Sequence, residues 1–354
     1  MTTEGPPRGC GNISSDYYLL CDTVKDWGIV LESLATAGVL TTIILILALF
    51  CLICKVQDNC KRSLIPVQFF FLLGTLGIFG LTFAFIIKLN ERTAPTRFFL
   101  WGVLFALCFS CLLVHAFNLI KLVRGRTPSS TPMSLVITFS LTIVQIIIAI
   151  QYVIINIETL KQKNEMDQQS RDDFVLLLIY VLFLMALLFV VCLFVFCGPY
   201  RRWKRHGAHI FITSLFSIGI WVAWITLLMK PNRNSSWDDP VMSVALVANG
   251  WVFLILYAVP EFCFLTAPEK PGDYPPENNF CQPKHMKKTY GVENRAYAQE
   301  DNTAAPEEIG DHPYIPYSTH FQLETLESQQ DFSIPRPKTR PSPYQGYAGG
   351  KGVK

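Results

Sequence analysis

The stretch GIVLESLATAGVLTTIILILALFCLIC, Gly28–Cys54, runs for 27 residues with a single charge, Glu32. At 1.5 Å of rise per residue, a helix needs about 20 apolar residues to cross a bilayer core. Backbone N–H and C=O groups find no water there, so a spanning run of this kind has to be a helix. Outward from it lie six more: Leu64–Ile87, Phe98–Ile120, Met133–Ile157, Phe174–Cys197, Ala208–Met229 and Val241–Thr266, so that the seven hold 22 to 27 residues each. A buried helix of a soluble protein rarely needs more than about 15 apolar residues. The runs therefore predict an all-α fold, a seven-transmembrane helix bundle over residues 28–266. A short extracellular segment, 1–27, precedes it, and a disordered cytosolic tail, 267–354, follows.

Composition agrees. The chain is 51% hydrophobic and only 16% charged, and its formal charge of +3 is too small to imply a nucleic-acid partner. Among 30 basic and 27 acidic side chains, only Glu32 and Glu261 fall inside a run. Residues Met1–Asp26 lack the short apolar core of a cleaved signal, so the first run is expected to act as an uncleaved anchor. Asp22 and Asp26 precede it, while Lys55, Lys61 and Arg62 follow, which favours an outside N-terminus and, with seven spans, a cytosolic tail. The loops then assigned inside carry their basic residues at higher density than the outside segments.

Two sequons, Asn12-Ile-Ser14 and Asn234-Ser-Ser236, both land on the outer side. Asn12 stands clear of the membrane and is the better acceptor; Asn234 lies in a short loop close to it. Cys10 and Cys21 are the two outside cysteines, and a Cys10–Cys21 disulfide is the simple reading, with a partner chain as the rival mate. Cys54, Cys60, Cys197, Cys263 and Cys281 lie at or beyond inner ends, as acylation sites or as inert small apolar residues.

The runs carry no Gly-x-Ser-x-Gly, His-Glu-x-x-His or Walker loop, so an enzyme is not expected, nor a cofactor or metal. His206 and His209 read as basic interfacial residues, and His115 as a hydrogen bond between helices. Glu261 is a different matter, because an intramembrane carboxylate is costly and marks function by default. It follows Pro260, and its expected partner is a basic residue on the inner rim, Lys121 or Arg124, in a structural bridge or a switch. Trp221 and Trp224 in the sixth run can pack, line a cavity or gate a movement. Gly74, Gly77 and Gly80 leave a smooth stripe on the second run for close approach of a neighbour.

From Ala267 onward the chain holds 12 of its 22 prolines, 7 of its 13 tyrosines and none of its tryptophans. With no apolar periodicity it cannot bury a core. Proline-spaced tyrosines, Tyr314 and Tyr317, then Tyr344 and Tyr347, can reach a kinase cleft without any unfolding. Each phosphate would add about two negative charges for a partner to pair with.

Four segments carry a family resemblance: Lys55–Asp58 (KVQD), Gly77–Ile87 (GIFGLTFAFII), Trp203–Ile210 (WKRHGAHI) and Ile220–Met229 (IWVAWITLLM). So do the tail segments Tyr290–Tyr297 (YGVENRAY), Pro316–Leu323 (PYSTHFQL) and Phe332–Arg336 (FSIPR). All are similar to the retinoic acid-induced orphan receptors of class C of the G-protein-coupled receptors. The resemblance implies a receptor that signals without enzymatic chemistry, a homodimer, and a G protein as a partner. It makes Trp221 the sixth-helix tryptophan that moves on activation and Lys121 the third-helix lysine of the inner lock, whose acidic partner is replaced by His206. Glu261 stands where most of the class has lysine, so a Lys121–Glu261 arrangement is the conjecture. The outer cysteine pair of the class is missing, and 27 residues are too few for its large ligand-binding lobe. The expected function is orphan cell-surface signalling from the plasma membrane, with tail tyrosines linked to tyrosine-kinase pathways. The alternative is a membrane scaffold or negative modulator of growth-factor receptor signalling that never activates a G protein. A small transporter would bring broken helices and internal repeats, which the sequence does not suggest.

Overall fold

The computed structural model describes residues 9–11, 13–22, 26–56, 59–87, 93–162, 168–198, 201–230 and 237–267. All seven expected spans are helical. α1 (Trp27–Lys55), α2 (Asn59–Ile86), α3 (Thr93–Val123) and α4 (Thr131–Gln162) are one span each. α5 (Gln168–Leu177) and α6 (Ile179–Val195) make the fifth, and α7 (Arg201–Leu228) the sixth. The seventh is α8 (Asp238–Val252), a π-helical turn (Phe253–Ala258) and α9 (Val259–Thr266). A 3-10 helix, Ser15–Leu20, packs on α1 and α2, and Cys10 and Cys21 are disulfide-bonded with Cα atoms 5.2 Å apart. That end of the bundle is called the disulfide end below, and the end where α9 stops is the tail end.

Burial follows what a bilayer asks of each helix. α3 lies at the centre, against α2, α4, α6 and α7, and its spanning part is 72% buried. α1 and α4 instead turn Val30, Leu40, Ile44, Leu47, Ile147 and Ile154 outward. In water such a belt would be an aggregation surface, whereas hydrocarbon accepts it without cost. Threonine hydroxyls inside the spans are often satisfied locally: Thr42, Thr75, Thr82, Thr138 and Thr142 each donate to the carbonyl four residues back.

The glycine stripe on α2 is half correct. A Cβ on Gly74 would lie 2.7 Å from Cys108 Sγ, and one on Gly77 would meet Leu104, so these two allow α2 and α3 to approach closely. Gly80 faces open space and takes no part. A second pair, unread in the sequence, sits elsewhere: Gly38 of α1 and Gly250 of α8 both leave room for the buried ring of Phe79.

Two spans depart from the regular helices the runs suggest. The fifth is broken at Leu178, where its halves meet at 44°. The cause is a side chain from another span: the Gln145 amide of α4 donates to the Leu177 carbonyl at 3.1 Å, while Tyr180 donates to Leu141 O at 2.9 Å. A partner inserted into the ladder is a standard origin of a bend. Gly102 of α3 makes the insertion possible, since a Cβ there would lie 2.5 Å from the Gln145 nitrogen. In the seventh span, Pro260 has no N–H for Leu256 O, and its ring would meet that carbonyl in a regular α-helix. The preceding turn widens instead, and Val259 N–H bonds Leu254 O, five residues back.

Candidate functional site

Glu261 lies five residues from the end of α9 and is buried, 3% exposed. Its carboxylate is held between two imidazoles from two other spans. His206 Nδ1 of α7 stands 3.2 Å from Oε2, and His115 Nε2 of α3 stands 3.6 Å from Oε1. The other nitrogen of His115 bonds the Tyr257 hydroxyl at 2.6 Å. Tyr257 belongs to the widened turn, so the distortion ahead of Pro260 is what presents its hydroxyl to α3. The His206 ring packs on Phe264 at 3.7 Å between centroids, and Trp203 packs on the same ring at 5.3 Å. α3, α7 and the seventh span are thereby fastened together at the tail end.

The conjectured Lys121–Glu261 pair is not formed. Lys121 Nζ donates to Ser129 Oγ at 2.8 Å, on the exposed side of α3. The reason is the local shape of the chain. Gly125 takes φ 76°, and Gly125 N–H bonds Leu122 O while Arg126 N–H bonds Lys121 O, the bond pattern of a Schellman stop. The chain then turns back along α3, where Asn118 accepts from Ser129 N–H and donates to Ser134 Oγ. Lys121 serves that loop, and Glu261 takes its charge partners from the histidines. His206, read as an interfacial residue, is in fact an inward-facing partner of the carboxylate. Among the described residues no cluster of His, Cys, Asp or Glu has the makings of a metal site.

Above this lock, toward the bundle centre, sits an aromatic cluster. Trp221 is fully buried, 5.0 Å from Phe105, 5.4 Å from Trp224 and 6.2 Å from Phe109 between ring centroids. Phe253, the first residue of the widened turn, packs on Phe105 and Phe109 and on Phe71 of α2. Phe71 in turn packs on Tyr257 at 4.6 Å. Trp221 and Glu261 are thus the two ends of one unbroken run of contacts through the widened turn.

The disulfide end carries two ion pairs that the sequence reading missed. Arg97 of α3 is fully buried, 3.3 Å from Asp239 and bonded also to the Ile87 carbonyl, with the Phe85 ring beneath its guanidinium. Arg171 of α5 pairs with Asp238 at 3.1 Å. Both acids open the seventh span, where the helix dipole also favours them. The available signal was position: Arg97 directly precedes the third apolar run, and two adjacent aspartates precede the seventh.

Asn12, Asn234 and the tyrosines Tyr314, Tyr317, Tyr344 and Tyr347 lie outside the described residues. So do Cys281 and the side chains of Cys54 and Cys60. Cys197 and Cys263 are exposed.

A family profile described as "7 transmembrane sweet-taste receptor of 3 GCPR" matches residues 21–261, which takes in the disulfide cysteine Cys21, both ion pairs and Glu261. Over 96% of its length the chain is 56% identical to human retinoic acid-induced protein 3, covering 97% of that protein. The mouse protein of the same name is 55% identical over 99% of each chain. Mouse G-protein coupled receptor family C group 5 member B is 38% identical over 84% of this chain and 76% of its own.

Proposed function

The chain belongs to family C of the G-protein-coupled receptors, a family of multi-pass membrane proteins, and from that premise we propose how it signals. It is a cell-surface receptor with its N-terminus outside and its tail in the cytosol, and it works without catalysing a reaction. Movement of Trp221 in the sixth span is passed through Phe105, Phe109 and the widened turn to the Glu261 lock. Release of the lock lets the tail ends of α3 and α7 part and present the inner loops to a cytosolic partner. The continuous contact path from Trp221 through Phe105, Phe253, Phe71, Tyr257 and His115 to Glu261 is the observation that carries this reading. Tail tyrosines, with Tyr317 and Tyr347 foremost and Tyr314 and Tyr344 beside them, are docking points for kinase-pathway proteins once phosphorylated. The receptor acts as a homodimer, as its class resemblance implies.

The orientation has its own test. Glycosidase treatment is expected to shift the mobility of the surface protein, and Asn12→Gln to remove most of that shift. A surface protein whose mobility the enzyme leaves alone would take away the sequon support for an outside N-terminus.

The second reading is a membrane scaffold or modulator of growth-factor receptor signalling that activates no G protein. Its support is the displaced lysine: Lys121 is engaged with Ser129 rather than with a lock. A G-protein coupling assay on the full chain, on a chain ending at Ala267 and on one with the four tyrosines changed to Phe separates the two. A receptor keeps coupling in all three, and the Phe variant loses only phosphotyrosine content and kinase signalling. A scaffold couples in none, and its effect on growth-factor signalling goes with the tail. Unchanged phosphotyrosine and kinase output in the Phe variant would refute the docking role.

A further inference from the structure

Resting on the lock reading above, we propose that the lock is loaded by a proton. Glu261 is held only while His115 or His206 carries a charge, so that raising the pH on the tail side opens the tail end of the bundle.

The geometry leaves little else to do that work. Glu261 is 3% exposed, and among the described residues its ion-pair partners are His115 and His206. A lysine or arginine in their place would keep its charge at every physiological pH, whereas histidine ordinarily titrates near pH 6.5, about where cellular pH varies. With one imidazole protonated, the site holds one negative and one positive charge. With none, a bare carboxylate is left inside the protein, and its lost hydration drives it toward water.

The other charged and titratable groups on the elements packed around the site are engaged elsewhere, exposed, or themselves titratable. α3 offers Lys121, which serves Ser129. α2 offers Lys61, whose ammonium donates to Ala267 O at 3.0 Å and lies 5.2 Å from the Phe264 centroid. α7 offers Arg205, which is exposed, and His209, one turn further along the helix and itself titratable. α1 ends at the exposed Lys55. The widened turn adds Tyr257, whose hydroxyl is bonded to His115. Protons have a route: His206 lies five residues from the start of α7, where the chain enters tail-side water, and is 8% exposed.

The direction follows from proton linkage. The closed form holds a proton that the open form does not need, so closure weakens as pH rises, by up to about tenfold in population per pH unit.

The test uses the full chain in lipid nanodiscs, with distance labels introduced through non-canonical residues at the exposed positions Arg124 and Arg205. From about pH 6 to about pH 8.5, a span around the ordinary histidine value, the wild type is expected to move from a short to a long α3–α7 distance. Glu261→Gln should give the long distance at every pH. His206→Lys supplies a permanent cation and should hold the short distance throughout. A pH-independent wild type beside an opened Glu261→Gln would overturn the proton linkage and leave the lock standing. If Glu261→Gln leaves the distance as it was, the lock itself is wrong. A full pH response surviving in His206→Lys would place the titration elsewhere and refute the proposal.

Discussion

Replacing Trp221 with alanine is expected to cost the folded bundle about 3 kcal/mol. The figure comes from packing alone. Its indole nitrogen has no hydrogen-bond partner among the described residues, so no polar interaction is lost. Lipid is as apolar as the side chain, so no transfer from water is forfeited either. What disappears is contact with Phe105, Phe109 and Trp224, in a cluster also braced by Trp101 and Phe253. Rings of this size cannot collapse into the space without leaving their own partners, so most of the cavity stays. Thermal unfolding of the purified protein in detergent measures the loss. Trp221→Phe then separates packing from gating, because it keeps an aromatic body and shortens it. Normal surface level with altered basal signalling identifies a gate. Normal surface level with unaltered signalling identifies a packing residue and removes the upper end of the proposed path.

The membrane spans were legible because the bilayer imposes one rule on every backbone group within it, and length plus hydropathy is enough to read that rule. The lock was half legible. Glu261 stood out because a charge in an apolar run demands an explanation, but naming its partner required knowing how three spans are turned about their axes. Hydropathy does not encode that rotation when α1, α4 and α7 put apolar side chains on their outer faces as well as inside. Lys121 failed as the partner for a local reason. The Gly125 stop folds the next segment back along α3, and Ser129 takes the lysine before it can reach inward.

The distortions were harder still. Gln145 looks like one polar residue in a long apolar run, and only the approach of α5 at Leu177, across the gap left by Gly102, gives it a purpose. Pro260 does announce a disturbed helix, yet the form it takes is a widened turn rather than a plain kink, and that form is what brings Tyr257 to His115. In both places the departure has a face buried in protein, Leu177 and Leu178 in one and Leu254 and Tyr257 in the other, and there a freed backbone group can find a partner.

At the opposite end of the bundle, Asp239→Leu is expected to cost about 3 kcal/mol and to lower the surface level strongly. The variant leaves the fully buried Arg97 guanidinium with the Ile87 carbonyl and the Phe85 ring but with no countercharge among the described residues. Breaking a buried pair from one side costs more than the pair was worth, because the remaining charge stays desolvated. The Asp239 side chain is 35% exposed, so water relieves part of that burden and keeps the estimate at the low end of the range. The double change Arg97→Met with Asp239→Leu removes both charges and should recover most of the loss, as apolar replacements of ion pairs commonly do. Its value lies in what it leaves behind. Asp238 and Asp239 are adjacent, and through Arg171 and Arg97 they tie the start of the seventh span to α5 and to α3. A double variant as stable as the wild type but with shifted basal signalling means the pairs set how these spans are oriented rather than how firmly they fold. A double variant no better than Asp239→Leu alone means that the Arg97 side chain itself, through Ile87 and Phe85, is what holds α2 and α3 together at this end.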